Sequence, residues 1–251
     1  MYEFTTREMH IAANGRTVFG RIWAPVTEEK RPAIIFSHGY NGCHSDFAAE
    51  CEFFAGQGFL CCSIDFCGGS TRSRSSGKST DMTLFTERDD LLAVYDHIAA
   101  LAEADESAVF LLGGSQGGLV TAMAAEERPA RGMILYFPAF SIPDNWRGRF
   151  GPVEAIPETH EFWGLTLGRD FFASMHDFSP FDCIGGYAGP VLILQGDQDG
   201  LIPVSVAQRA ADKYANAELV ILPGEGHGFS PDGLRSVMAR TLRMLNKTLM
   251  G

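Results

Sequence analysis

The feature that most constrains this chain is a series of short, continuous apolar runs: Ala33–Phe36, Phe59–Ile64, Val109–Leu112, Met133–Phe137, Val191–Leu194 and Leu219–Leu222. A strand with one wet face alternates apolar and polar residues, whereas a strand covered on both faces stays apolar along its length. Such strands belong to a parallel sheet with helices packed on either side. The intervening stretches supply those helices, at 45–56, 87–103, 116–127, 204–214 and 232–248. In the second, Leu91, Leu92, Tyr95, Ile98 and Leu101 share one stripe, and Thr86-x-x-Asp89 has the form of a capping box. The first thirty residues follow another rule. Residues 3–12 and 16–24 are strand-like and flank Asn14-Gly15, the dipeptide best suited to a type I′ hairpin turn. The expectation is a three-layer α/β fold with a mostly parallel sheet and an N-terminal antiparallel hairpin, built as one domain over 1–251. With 45% hydrophobic residues it can bury its core without metal or disulfide support.

One segment breaks the rhythm. The stretch between the runs ending at Phe137 and beginning at Val191 is too long for a simple crossover helix, and its aromatics include Trp146, Phe150, Phe162, Trp163, Phe171 and Phe172. An insertion over 139–187 could cap a site at the strand ends, with Trp146 and Trp163 as substrate contacts, or its rings could pack it onto the body.

Gly113-Gly114-Ser115-Gln116-Gly117 directly follows a buried-strand run and opens a helical stretch. That strand–turn–helix setting is what a nucleophile elbow needs, because the serine sits in a strained turn where neighbouring side chains would clash. A serine hydroxyl requires a base. Of seven histidines, His227 lies in the Gly-rich loop Gly224–Gly228 after the last strand, on the sheet edge that also carries the serine. His97 falls within an amphipathic helix, and His160 and His176 lie in the insertion as remote alternatives. Gln195–Gly200 follows the Val191–Leu194 run and offers two acids, Asp197 and Asp199, either of which could orient the imidazole. The order Ser…Asp…His suits a triad on such a sheet. His38-Gly39-Tyr40-Asn41-Gly42 follows the first buried run, in position to aim a backbone N–H at a developing oxyanion. The expected donors are the amides of Tyr40 and Gln116, with His38 holding the loop.

HGYNG, GGSQGG, GDQDGLIP and GEGHGF together resemble the α/β-hydrolase superfamily, and within it the small bacterial esterases of cinnamoyl/feruloyl type. The resemblance implies that the acid is the second aspartate of G-D-x-D, which is Asp199. It also implies an insertion between the sixth and seventh strands, no cofactor, and hydrolysis of hydroxycinnamate or other short-acyl and aryl esters. Thioesterase, peptidase-like and acyltransferase chemistry use the same triad, although peptidases of this fold usually carry a large extra domain for which 251 residues leave no room.

Other readings fall away. A net charge of −11 and a pI near 5.0 disfavour nucleic acid. Gly77-Lys78-Ser79 imitates the end of a P-loop, but Arg72 stands where its first glycine belongs. No His/Cys/Asp cluster has zinc-site spacing, so no metal is expected. Asp65 reads as a loop anchor. The six cysteines show no C-x-x-C pair and suggest free thiols in the core; with the polar start MYEFTTREMH and no membrane-length apolar run, the expected location is cytoplasmic.

Overall fold

The computed structural model describes residues 1–251. Strands β1 (Phe4–Ala13) and β2 (Arg16–Pro25) pair antiparallel along their whole length. Asn14 and Gly15 between them have φ of +49° and +79°, the two positive values that a type I′ turn requires. Then β3 (Arg31–Ser37), β4 (Leu60–Asp65), β5 (Ala104–Gly114) and β6 (Gly132–Tyr136) enter the main sheet. A separate two-stranded hairpin, β7 (Thr159–Phe162) and β8 (Leu165–Gly168), precedes β9 (Val191–Gly196) and β10 (Ala217–Leu222). The main sheet runs β1-β2-β4-β3-β5-β6-β9-β10, and every pair from β4 onward is parallel.

The helices are α1 (Ala48–Gly56), α2 (Leu84–Ala99), α3 (Gln116–Ala125), α4 (Ile142–Phe150), α5 (Arg169–Ala173), α6 (Pro180–Cys183), α7 (Val204–Ala211) and α8 (Pro231–Met250). They explain the unbroken apolar runs. On β3, Ala33 and Ile35 join Leu91 and Val94 of α2, Leu119 of α3 and Ala207 of α7 in one core. Ile34 and Phe36, pointing the other way, join Phe54 of α1 and Val237 and Leu245 of α8 in a second. Both faces are covered, and burying each large side chain contributes on the order of 1.5–3 kcal/mol. Strand β10 departs from the expectation of double burial. It lies at the sheet edge beside β9 alone, and only Leu222 of its six residues is buried.

Helix α2 begins and ends earlier than its periodicity suggests. Its cap is Thr83: the Thr83 hydroxyl accepts from the Thr86 N–H at 3.0 Å, and the Thr86 hydroxyl accepts from the Thr83 N–H at 2.8 Å. Thr86 thus serves at the third position of the box, not at its start, and the chain is already turning into β5 by Ala104. All six cysteines are free, and Cys183 is exposed instead of sharing the core.

Residues 139–187 fold as α4, a 3-10 turn at Val153–Ala155, the β7–β8 hairpin, α5 and α6. Their rings form one cluster, in which Trp146 stacks on Phe150 at 5.6 Å and meets Phe162 and Phe172 edge-on at 4.9 and 4.7 Å. Sequence periodicity gave no sign of the short hairpin, whose four-residue strands are too brief to show a repeat.

Candidate active site

Ser115 stands between β5 and α3 with φ +53° and ψ −121°, a conformation that costs a non-glycine residue of order 1–3 kcal/mol. The surroundings hold it there. Its N–H donates to the Tyr136 carbonyl at 2.9 Å, and its own carbonyl accepts from the Ala139 N–H at 3.0 Å. At Gly117 a β-carbon would lie 2.3 Å from the carbonyl oxygens of both Ser37 and His38, so only glycine lets α3 start against the end of β3. Gly39 brings the loop after β3 close as well, since a β-carbon there would meet that of Ser115 at 3.1 Å.

Three loops at the carboxyl ends of β5, β9 and β10 then assemble a relay. Ser115 Oγ lies 2.9 Å from His227 Nε2, and His227 Nδ1 lies 2.9 Å from Asp199 Oδ2. A carboxylate can only accept, so the Nδ1 proton is fixed toward Asp199 and Nε2 is left to receive the serine proton. The side chain of Asp199 is fully buried. Burial pushes its carboxyl up, but the Ile202 N–H, the His227 imidazole and the Leu201 N–H outweigh this and hold it below the usual carboxylate range. Its Oδ1 accepts from the Leu201 and Ile202 N–H groups at 2.8 and 2.9 Å, and its Oδ2 also accepts from Gln195 Nε2 at 3.0 Å. Asp197 turns away and accepts from the Gly224 N–H at 2.7 Å. Of the two acids that spacing leaves open, Asp199 is the one that contacts the imidazole.

On the other side of Ser115 the Tyr40 N–H makes no hydrogen bond within the protein. The Gln116 N–H is among those a helix N-terminus leaves without an intrahelical acceptor. Two unengaged amides therefore belong to the loop and the helix that meet at Gly39 and Ser115. His38 is buried and occupied: its Nε2 accepts from the Phe66 N–H at 3.1 Å, and Nδ1 lies 2.7 Å from the Gly39 carbonyl. Burial lowers its pKa, in keeping with a neutral ring in a structural role. Asp65 ties three points of chain, accepting from the His44 N–H and Nδ1 at 2.6 and 2.9 Å and from the Arg74 N–H at 2.7 Å. Folding also brings a Cys43 sulfur within 4.8 Å of the His44 and Asp65 ligand atoms, a cluster the sequence spacing hides. Asp65 is already engaged by three N–H donors there, which suits a loop anchor better than an ion site.

Several contributors escaped sequence reasoning. Gln195, the last residue but one of β9, steadies Asp199. Buried Glu87 of α2 accepts from Gln116 Nε2 at 2.8 Å; burial, opposed by that bond and reinforced by Asp90, pushes its carboxyl up to about 8. Tyr40 Oη donates to the Phe162 carbonyl at 2.6 Å and Asn41 Nδ2 to the Trp163 carbonyl at 3.1 Å, so the loop after β3 clasps the β7–β8 turn. Phe137 packs its ring 4.7 Å from that of His227. Only proximity in the fold identifies these side-chain contacts, including those of Tyr40 and Asn41, whose loop the sequence marked for its backbone alone.

A pocket of about 270 Å³ opens beside Ser115 and His227. Tyr40, Trp146, Phe162, Trp163 and Phe171 supply its aromatic walls, so both tryptophans singled out in the insertion reach it. His160 and His176 do not: the first packs among Trp146 and Phe150, the second lies 2.8 Å from Asp177. A larger concavity of about 880 Å³ lies at the amino ends of β9 and β10, lined by Pro190, Asn216 and Arg240 among others, and contains none of the relay.

The prolyl oligopeptidase family model matches residues 45–250, a span that contains Ser115, Asp199 and His227. The chain belongs to that family. It is a member of the α/β-hydrolase superfamily, and it resembles the feruloyl-type esterases. Est1E from Butyrivibrio proteoclasticus, solved with ferulic acid bound, superposes with a TM-score of 0.85 at 27% identity, covering 95% of this chain and 99% of the other. Acylamino-acid-releasing enzyme 1 of Oryza sativa subsp. japonica is 25% identical over 79% of this chain and 27% of its own length. Caffeoylshikimate esterase of Arabidopsis thaliana is 28% identical over 65% of this chain and 48% of its own. The chain spans less than two thirds of the length of the curated relatives it matches. No helix is long and apolar enough to cross a membrane.

Proposed function

We propose that this protein hydrolyses carboxylic esters of small aryl or short-to-medium acyl groups through an acyl-enzyme, with Ser115 as nucleophile, His227 as general base and Asp199 as its orienting acid. The observation that carries the reading is the continuous Ser115–His227–Asp199 hydrogen-bonded relay opening onto an aromatic-walled pocket. Ser115 Oγ attacks the ester carbonyl as His227 Nε2 takes its proton, and the imidazolium is stabilised by Asp199. The carbonyl oxygen gains charge and accepts from the N–H groups of Tyr40 and Gln116. Collapse expels the alcohol, which leaves with the proton held by His227. Water then repeats the sequence on the acyl-serine to release the acid, so one ester and one water give one acid and one alcohol. No step calls for a cofactor. Residues 139–187 act as a cap on a single catalytic domain, with Trp146 and Trp163 lining the acyl or aryl site.

Ferulic acid bound to the structurally similar Est1E supports the aryl-ester reading. The similarity to acylamino-acid-releasing enzymes supports a second one, amide hydrolysis of short acyl-peptides by the same three residues. A panel of methyl cinnamates, p-nitrophenyl esters, acyl thioesters and acyl-peptide amides separates them, with fluorophosphonate labelling read in parallel. Ester turnover and labelling should both vanish in Ser115→Ala. Labelling of that variant at the wild-type rate would remove Ser115 as nucleophile, and amide turnover above ester turnover would favour the second reading.

A further inference from the structure

Helix α4 presents one face to the pocket. Ile142, Asn145, Trp146 and Arg149 all line it, the i, i+3, i+4, i+7 spacing of a single helical stripe. Two of these four are polar, and neither side chain makes a hydrogen bond or ion pair within the protein. The contrast with Arg147 on the same helix is sharp. That guanidinium donates to the carbonyls of Met175, His176 and Phe178 at 3.1, 3.0 and 2.9 Å and pairs with Asp144. Arg149 has only a ring for company, its guanidinium carbon 5.9 Å from the Trp146 centroid.

The charge around it is equally one-sided. The chain carries 31 acidic residues against 20 Lys and Arg, yet no Asp or Glu lines this pocket. An unpaired guanidinium and a free carboxamide, set at the rim of an apolar cavity that holds the nucleophile, form a fork for a planar anion. Position sets where the anion must be. Ala139, just before α4, is hydrogen-bonded to Ser115, whereas Arg149 lies on the last turn, about 10 Å farther along the axis at 1.5 Å per residue from Ile142. An anion reaching Arg149 is therefore remote from the scissile carbonyl, across the aromatic body of the ligand.

Building on the ester-hydrolase reading, we infer that Arg149, aided by Asn145, is a specificity site for a carboxylate: the substrate is an aryl ester that carries a second, uncleaved carboxylate at the end away from the ester. The scissile ester sits at Ser115, the aromatic body lies between Trp146, Phe162 and Trp163, and the carboxylate meets the guanidinium. The carboxylate could belong to the acid or to the alcohol part of the ester, and recognition by Arg149 is the same chemistry in both.

The test uses matched esters that differ only in that group. Methyl 4-carboxycinnamate is set against its 4-carboxamide and 4-aminomethyl analogues, and 4-(cinnamoyloxy)benzoate against the same replacements, so that the two arms distinguish acid-side from alcohol-side placement. Wild type should favour carboxylate over carboxamide in kcat/KM by on the order of tenfold in at least one arm, as a charge-assisted bond at a partly exposed site warrants. The preference should shrink in 0.5 M salt, where the Debye length is about 4 Å. Arg149→Gln should bring the ratio to within twofold of one. Arg149→Glu should invert it in favour of the aminomethyl ester, a reversal that a purely structural role for Arg149 would not produce. Dissociation constants of the same compounds on Ser115→Ala give the ratio without turnover. If no ester is hydrolysed by wild type, the esterase reading fails while those constants still decide the anion site. Carboxylate and carboxamide binding within twofold in both arms, or a ratio that Arg149→Gln leaves intact, overturns the inference.

Discussion

Replacing Asp199 by Asn changes one oxygen for one NH2, and the surroundings dictate which. Oδ1 accepts from two main-chain N–H groups, those of Leu201 and Ile202 at 2.8 and 2.9 Å, which cannot turn into acceptors. The amide oxygen must therefore keep that position, and the new NH2 falls where Oδ2 was, 2.9 Å from His227 Nδ1 and 3.0 Å from Gln195 Nε2. Facing a donor, His227 can restore a hydrogen bond only by moving its proton from Nδ1 to Nε2. In that tautomer Nε2 cannot take the serine proton, and the expected loss in kcat is on the order of 10⁴, or about 5 kcal/mol in the barrier. The cost to the fold is smaller. Gln195 Nε2 loses one acceptor but keeps the Ile202 carbonyl at 3.1 Å, so destabilisation should be about 1–3 kcal/mol, within what a domain of this kind tolerates. The assay is steady-state hydrolysis of p-nitrophenyl butyrate beside urea unfolding, with Asp197→Asn as the control. Asp197 accepts from the Gly224 N–H, a task an asparagine oxygen also performs, so the control should lose less than about tenfold. A folded Asp199→Asn within tenfold of wild type would refute the tautomer argument, as would a greater loss in the control.

Three further outcomes follow from particular contacts. Glu87 keeps its proton up to about pH 8 in the folded state but ionises near the ordinary glutamate value of 4.5 when unfolded, so its contribution is fully present below the lower value and is lost as pH rises through the upper one. Wild-type stability should fall by up to roughly 1 kcal/mol per pH unit across that window, and Glu87→Gln, which still accepts from Gln116, should flatten the slope; parallel urea-unfolding profiles for the two proteins would contradict this. Tyr40→Phe keeps the main-chain N–H but releases the Phe162 carbonyl: stability should drop by about 1 kcal/mol and aryl-ester kcat/KM should suffer more than acetate turnover, whereas equal losses on both substrates would argue against a clasp on the pocket wall. Gly117→Ala drives a methyl group to 2.3 Å from two carbonyl oxygens, and thermal unfolding should show a loss of several kcal/mol by forced separation of α3 from β3; a neutral result would mean that the elbow is far more pliant than its packing.

Much of this molecule is legible in its sequence. The alternation of apolar runs with helical stripes is a local signal, and it specified the doubly covered parallel sheet because a strand buried on both faces has no reason to alternate. Asn14-Gly15 named its own turn, since few dipeptides accept two positive φ values in succession. Glycines around Ser115 marked the strained turn between β5 and α3, and strand-end position pointed to the histidine that lies against it. What local pattern could not reach was anything set by contact between distant segments. Ser115 and His227 are 112 residues apart, and spacing left Asp197 and Asp199 equal until the fold turned one carboxylate to the imidazole and the other to Gly224. The early start of α2 escaped because a Thr–Thr capping pair lacks the acidic signature of the usual box. Gln195, Glu87 and the unpaired Arg149 carry no motif at all. Their roles exist only as distances, and a distance between residues far apart in sequence is set by how the cores pack, which no window of neighbouring residues encodes.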